Sequence, residues 1–147
     1  MSVFSRELID LDLQADDKVT AITRLAELVV AAGRGTDVET IVKDVLERDE
    51  MGTPQVKGVA IPHARTTGVV VSSVAVGRVA GVVFDPDEDP ADTIFMILVP
   101  DSAADEHIVI LQSLARKLMD PDFTEFLRTA SSADELVAQL GKGEDNS

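Results

Sequence analysis

The order of its periodicities predicts an α/β fold: a single-domain sandwich in which helices cover a mixed β-sheet. Three observations carry that reading. Apolar residues recur at helical spacing between positions 16 and 46, β-branched runs dominate from 58 to 99, and helical spacing returns after Pro100. At 147 residues the chain fits one domain with its own core. That domain is expected over residues 1–140, with 141–147 a flexible tail that has nothing to bury.

After a short opening segment around Leu8, Ile9, Leu11 and Leu13, Asp16 or Asp17 can cap a helix whose Val19, Ile22, Leu25, Ala26, Leu28 and Val29 share one face. Gly33 and Gly35 end it, and Thr36 with Glu39 forms a capping-box pattern for a second helix carrying Val38, Ile41, Val42, Val45 and Leu46. Strands are expected at 59–61, 69–79 and 93–99. The acidic, proline-bearing stretch 85–90 between the last two reads as a solvated turn. Beyond Pro100, Ile108, Leu111, Leu114, Ala115 and Leu118 mark a long helix with Asp105, Glu106 and His107 in its first turn, where acidic residues suit the positive end of the dipole. Pro121 suits the first position of a further helix with Phe123, Phe126 and Leu127. Ser132 with Glu135 then opens a last helix with Leu136, Val137 and Leu140. Met96 and Met119 fall in apolar patterns and read as core filler.

Composition narrows the function classes. A formal charge of -14 opposes the cation release that drives nucleic-acid binding, so DNA and RNA are poor partners. There is no cysteine, which removes disulfides and thiolate chemistry and agrees with a cytoplasmic address. No basic leader precedes an apolar run, and stretches such as 94–99 are too short to span a bilayer, so a soluble chain without direct membrane insertion is expected. Walker-type, GxGxxG and GxSxG patterns are missing, which leaves nucleotide binding and serine hydrolysis without support. The two histidines with Asp105, Glu106 or Asp85 lack HExxH or comparable ligand spacing, so neither a metal nor a bound cofactor is expected.

The most informative segment is Lys57-Gly58-Val59-Ala60-Ile61-Pro62-His63-Ala64-Arg65, which delivers one of two histidines from the end of a short apolar strand. Pro62 fixes its own φ and drives Ile61 into the extended region, so His63 leaves the strand at a set angle. Two readings stand side by side for each histidine: His63 is a nucleophile or a satisfied loop residue, and His107 is a functional partner or a surface residue of a helix start. If the two converge, amides near His107 supply donors and partial positive charge, a setting that fits a phosphoryl group carried by a neutral imidazole.

Three stretches resemble a known family. They are Ile61-Pro62-His63, the sequence Glu106-His107 followed by an apolar helix through Ala115, and the closing Asp120-Pro121-Asp122-Phe123. Together, over about residues 8–140, they are similar to the enzyme IIA domain of the fructose and mannitol type, including its nitrogen-related branch. That domain belongs to the bacterial phosphoenolpyruvate-dependent sugar phosphotransferase system. The resemblance implies that His63 accepts a phosphoryl group from the phosphohistidine of the carrier HPr and passes it to a cysteine of a IIB domain during sugar uptake. It implies that His107 orients the phosphoryl group and that Arg48 lies near the site. The alternative it carries is a regulator whose phosphorylation state controls binding to other proteins. The chain departs from the family's Gly-Ser-Thr-Gly type stretch, reading Gly52-Thr53-Pro54-Gln55-Val56-Lys57-Gly58 and one residue shorter. Thr53 takes the place of the family's hydroxyl residue there, and Pro54 stiffens the approach.

Overall fold

Runs of Val, Ile and Ala need a surface buried on both sides, and here they build the middle layer of the molecule. The computed structural model describes residues 3–103 and 105–141, the side chains of Glu106 and His107 excepted. A 3-10 turn at Arg6–Leu8 leads into β1 (Ile9–Asp10), followed by α1 (Lys18–Ala31) and α2 (Val38–Asp49). Five strands come next: β2 (Gln55–Val56), β3 (Val59–Ala60), β4 (His63–Thr66), β5 (Ser73–Val82) and β6 (Ala91–Pro100). Three helices close the chain: α3 (Glu106–Leu118), α4 (Pro121–Thr129) and α5 (Ala133–Gly141). The strands form one sheet in the order β1-β5-β6-β3-β2, and β4 pairs with β6 beyond β3. β5 and β6 run antiparallel, whereas β1 lies parallel to β5, and β3 and β4 parallel to β6. The expected mixed sheet under helices is therefore the observed one.

Alternation along the strands separates two cores. Ala64, Ala75, Met96 and Leu98 face α1 and α2, where they meet Ile22, Leu25, Val29, Ile41 and Val45. Ile61, Val74, Phe95 and Ile97 face the other way, towards Leu114, Leu118, Leu127, Leu136 and Leu140 of α3, α4 and α5. Each large apolar side chain so buried contributes roughly 1.5–3 kcal/mol relative to exposure.

Local hydrogen bonding decides the element ends. Asp17 caps α1, accepting from the Thr20 amide at 2.7 Å. The second helix starts on Asp37 and not on Thr36: the Asp37 carboxylate accepts from the Glu39 amide at 3.1 Å and the Thr40 hydroxyl at 2.6 Å. Those bonds, the Thr40 hydroxyl first, hold the Asp37 carboxyl below its usual range. Thr36 is already engaged, its amide donating to the Gly68 carbonyl at 2.8 Å. The expected strand start at Val69 is likewise corrected to Ser73, because the Val70 amide donates to the Arg34 carbonyl at 2.8 Å, outside the sheet. Val69 keeps a single bridge to Gly35. Pro121 does open α4 behind an Asp120 cap, and the Ser132 hydroxyl accepts from the Glu135 amide at 3.2 Å. Met96 is buried, but Met119 is 69% exposed because it sits on the C-cap of α3, past the last packed turn. Gly141, the first residue of the expected tail, still belongs to α5, and 142–147 lie outside the described residues.

One side chain ties distant pieces together. Arg78 donates from Nε to the Leu11 carbonyl at 3.1 Å and from Nη1 to the Ala130 carbonyl at 2.8 Å, with the Leu127 and Arg128 carbonyls at 3.4 Å. A guanidinium at these last carbonyls of α4 also meets the negative end of that helix.

Two stability predictions follow from this packing. A Cβ on Gly68 would stand 2.9 Å from Ile41 Cγ1 and 3.1 Å from the Asp37 carbonyl oxygen. Gly68→Ala should therefore cost about 1–3 kcal/mol, read as a lower urea midpoint at unchanged slope; an unchanged midpoint would contradict the close approach. The sequence holds 27 Asp and Glu against 13 Lys and Arg, and the described residues form four ion pairs, so net repulsion works against the folded state. Raising NaCl to about 1 M, where the screening length is near 3 Å, should raise the melting temperature by a few degrees in calorimetry.

Candidate functional site

The chain from Gln55 to Thr66 is shaped by two backbone restrictions. Lys57 and Gly58 both take positive φ, 52° and 83°, which joins β2 to β3 in a two-residue hairpin of the mirror-turn type. Gly58 thus serves the turn, and Arg128 fastens it by donating from Nη2 to the Lys57 carbonyl at 2.9 Å and from Nε to Asp92 Oδ2 at 3.1 Å. Farther on, Pro62 has no N–H for the ladder. The edge beside β6 is accordingly broken, with β3 registered on Thr93 and Ile94 and β4 on Ile97 to Pro100. Two bonds flank the break, Ile61 N–H to the Pro54 carbonyl and Ile97 N–H to the Pro62 carbonyl, both 2.9 Å.

His63 consequently opens its own strand, whereas the sequence reading had it leaving one. It is paired with Ile97, and partners across a ladder point to the same side, so its ring faces the α3 layer. The residue is 6% exposed. Its Nδ1 lies 3.0 Å from the Ile61 carbonyl oxygen. A carbonyl can only accept, so Nδ1 carries the proton, and when the ring is neutral its lone pair is on Nε2. That is a strand-mounted imidazole in a defined tautomer, walled by protein, with a nitrogen suited to nucleophilic attack.

The second histidine enters from the opposite layer. α3 follows β6 after residues 101–105 and packs against both β6 and β4. Its first turn, including the backbone of His107, therefore stands at the end of the sheet where β4 and β6 finish, over the face that His63 uses. The His107 ring lies outside the described residues.

Arg48 and Thr53 belong to one loop. Arg48, in the last turn of α2, donates from Nη1 to the Gly52 carbonyl at 3.0 Å. The Thr53 hydroxyl donates to Asp49, whose carboxylate also receives Lys18 Nζ at 2.5 Å. The next residue, Pro54, accepts from Ile61, so this loop adjoins the His63 mount by direct bonding. Asp49 and Lys18 were missed in the sequence because their partners lie in other elements. Arg65, exposed and two residues beyond His63 on the same strand face, could have been read from strand alternation. Around these elements, exposed apolar side chains are Met51 at 80%, Ile108 at 46% and Val109 at 66%. Among the described residues no three His, Asp or Glu group in a way that could hold a metal ion, and no helix is long and apolar enough to cross a membrane.

Comparison with known proteins finds relatives over nearly the whole chain. Residues 2–142 match the family model described as "Phosphoenolpyruvate-dependent sugar phosphotransferase system, EIIA 2". The chain is 42% identical over 129 residues to the fructose-specific EIIA component of that system in Haloferax volcanii, covering 86% of this chain and 84% of that one. Among solved structures, nitrogen regulatory protein IIA-Ntr of Neisseria meningitidis superposes with a TM-score of 0.84 at 31% identity, covering 94% of this chain and 96% of that one. The mannitol enzyme IIA of Escherichia coli, in its complex with phosphorylated mannitol enzyme IIB, gives 0.78 at 27% identity, covering 95% and 97%. The chain belongs to the EIIA type 2 family of the phosphotransferase system.

Proposed function

We propose that this member of the family is a phosphocarrier for sugar uptake that works through Nε2 of His63. The neutral nitrogen attacks the phosphoryl group of the HPr phosphohistidine, so that a new N–P bond forms on His63 while the donor's N–P bond breaks. In the second half-reaction a IIB cysteine thiolate takes the group, an S–P bond forming as the His63 N–P bond breaks. Neither step calls for a metal or a cofactor. The observation that carries the reading is the 3.0 Å contact of Nδ1 with the Ile61 carbonyl, which leaves the lone pair on Nε2.

Other features support the same chemistry. His63, only 6% exposed, sits in a wall that keeps water from lining up on a bound phosphoryl group, which slows hydrolysis. The first turn of α3, where His107 stands, offers amide donors and positive dipole to phosphoryl oxygens, supporting an orienting role for that histidine. Arg48 and Thr53, beside the Ile61 mount, are the further binding candidates. Met51, Ile108 and Val109 supply the exposed apolar area for a modest, transient interface that HPr and IIB use in turn. This role puts the chain in the cytoplasm. The likeness to a nitrogen regulatory IIA favours a second reading, in which phosphorylation of His63 switches binding to other proteins instead of feeding a permease.

Incubation with enzyme I, HPr and phosphoenolpyruvate should give an acid-labile adduct on His63, and His63→Ala should abolish it; an adduct at another residue would overturn the assignment. In quench-flow, His107→Ala should slow acceptance about a hundredfold while the adduct still forms on His63, and wild-type kinetics would make His107 a bystander. Adding a IIB domain separates the two readings, because only the uptake role requires the phosphoryl group to appear on its cysteine.

A further inference from the structure

We propose that Asp49, held by Lys18, is a positioning residue that fixes the tautomer of His63 across the loop and hairpin that separate them. The inference deepens the phosphocarrier reading and rests on it for the kinetic part, though not for the structural part.

Lys18 begins α1, where a cation opposes the positive end of the helix dipole. The opposition is relieved by Asp49: Nζ lies 2.5 Å from Asp49 Oδ2, with side-chain exposures of 30% and 9%, and 3.3 Å from the Phe84 carbonyl. The carboxylate is thereby fixed between the start of α1, the end of α2 and the β5–β6 turn. Its other oxygen accepts the Thr53 hydroxyl. Together with the Arg48 bond to the Gly52 carbonyl, this closes residues 48–53 with two side-chain bonds of i to i+4 span. Thr53 is covalently followed by Pro54, whose carbonyl holds the Ile61 amide at 2.9 Å. The same residue, Ile61, presents its carbonyl to His63 Nδ1 at 3.0 Å.

A continuous series of bonds therefore runs from Lys18 through Asp49, Thr53, Pro54 and Ile61 to the imidazole. Apart from the Thr53 hydroxyl on the Asp49 carboxylate, every link after Asp49 is either covalent or a hydrogen bond to a backbone group of a proline-flanked segment with little freedom to rotate. The end of the series matters chemically. A histidine in water prefers the proton on Nε2, the nitrogen that must be bare to attack, so the Ile61 carbonyl has to hold the proton on Nδ1. Cutting the series at Asp49 frees the loop, lets Ile61 turn, and returns the ring to the unproductive tautomer.

The test uses the full chain labelled with ¹⁵N at histidine. In the wild type, long-range ¹H–¹⁵N spectra at a pH where the ring is neutral should report His63 as the Nδ1–H tautomer. Asp49→Ala should move it towards Nε2–H, with helical circular dichroism retained, and the rate of phosphoryl acceptance from phosphorylated HPr should fall about ten- to a hundredfold. Should Asp49→Ala unfold, Thr53→Val cuts the next link while leaving the Lys18–Asp49 pair in place, and it should give the same spectral change. An unaltered His63 tautomer in a folded variant overturns the proposal, even if phosphorylation slows. If the wild type accepts no phosphate at all, the phosphocarrier reading falls while the tautomer measurement still decides the role of Asp49.

Discussion

A missing backbone donor governs the site. A proline cannot contribute to a β-ladder, and position 62 falls in the middle of what would otherwise be one edge strand beside β6. The ladder resumes at His63 against Ile97 in the register it held before, Val59 on Thr93 and Ala60 on Ile94, while the Ile61 amide turns to the Pro54 carbonyl and the Ile61 carbonyl meets the His63 ring at 3.0 Å. The unchanged register fixes the face on which the ring lies, since a shift of one residue would turn it into the α1–α2 core beside Ala64. The long β5–β6 hairpin supplies the rigid rail that holds this register.

The sequence made the large divisions legible because they depend on periodicity, which one chain carries by itself. Helix α1 with its Asp17 cap, the proline-led α4 and the acidic turn between β5 and β6 could all be read from neighbouring residues. What escaped depends on remote partners. Thr36 looked like a cap, but the Gly68 carbonyl, 32 residues away, engages it. The stretch before Ser73 looked like strand, but its backbone is bound to the turn after α1, at Arg34 and Gly35. The β2–β3 hairpin was hidden because Lys57, an unusual residue at positive φ, occupies a place where Asn or Asp would have announced the turn. At the site the histidine and its proline were plain, whereas Asp49 and Lys18 had no local signature, their link spanning 31 residues.

The uptake and regulatory readings share one atom. His63 is only 6% exposed, so under either reading the partners that reach it would exclude one another there. Exchange between them then demands weak, quickly broken contacts, which a few scattered apolar side chains on a strongly acidic surface provide better than a broad hydrophobic face. Choice among partners passes to their own charge and shape.

Arg78 has a consequence beyond capping α4. It projects from the central hairpin to bind carbonyls near both ends of the chain, Leu11 before α1 and Ala130 before α5. Neither helical layer can peel from the sheet without stripping acceptors from a half-buried guanidinium. The molecule is thus built to melt in one all-or-none step, although its two cores share no side chain.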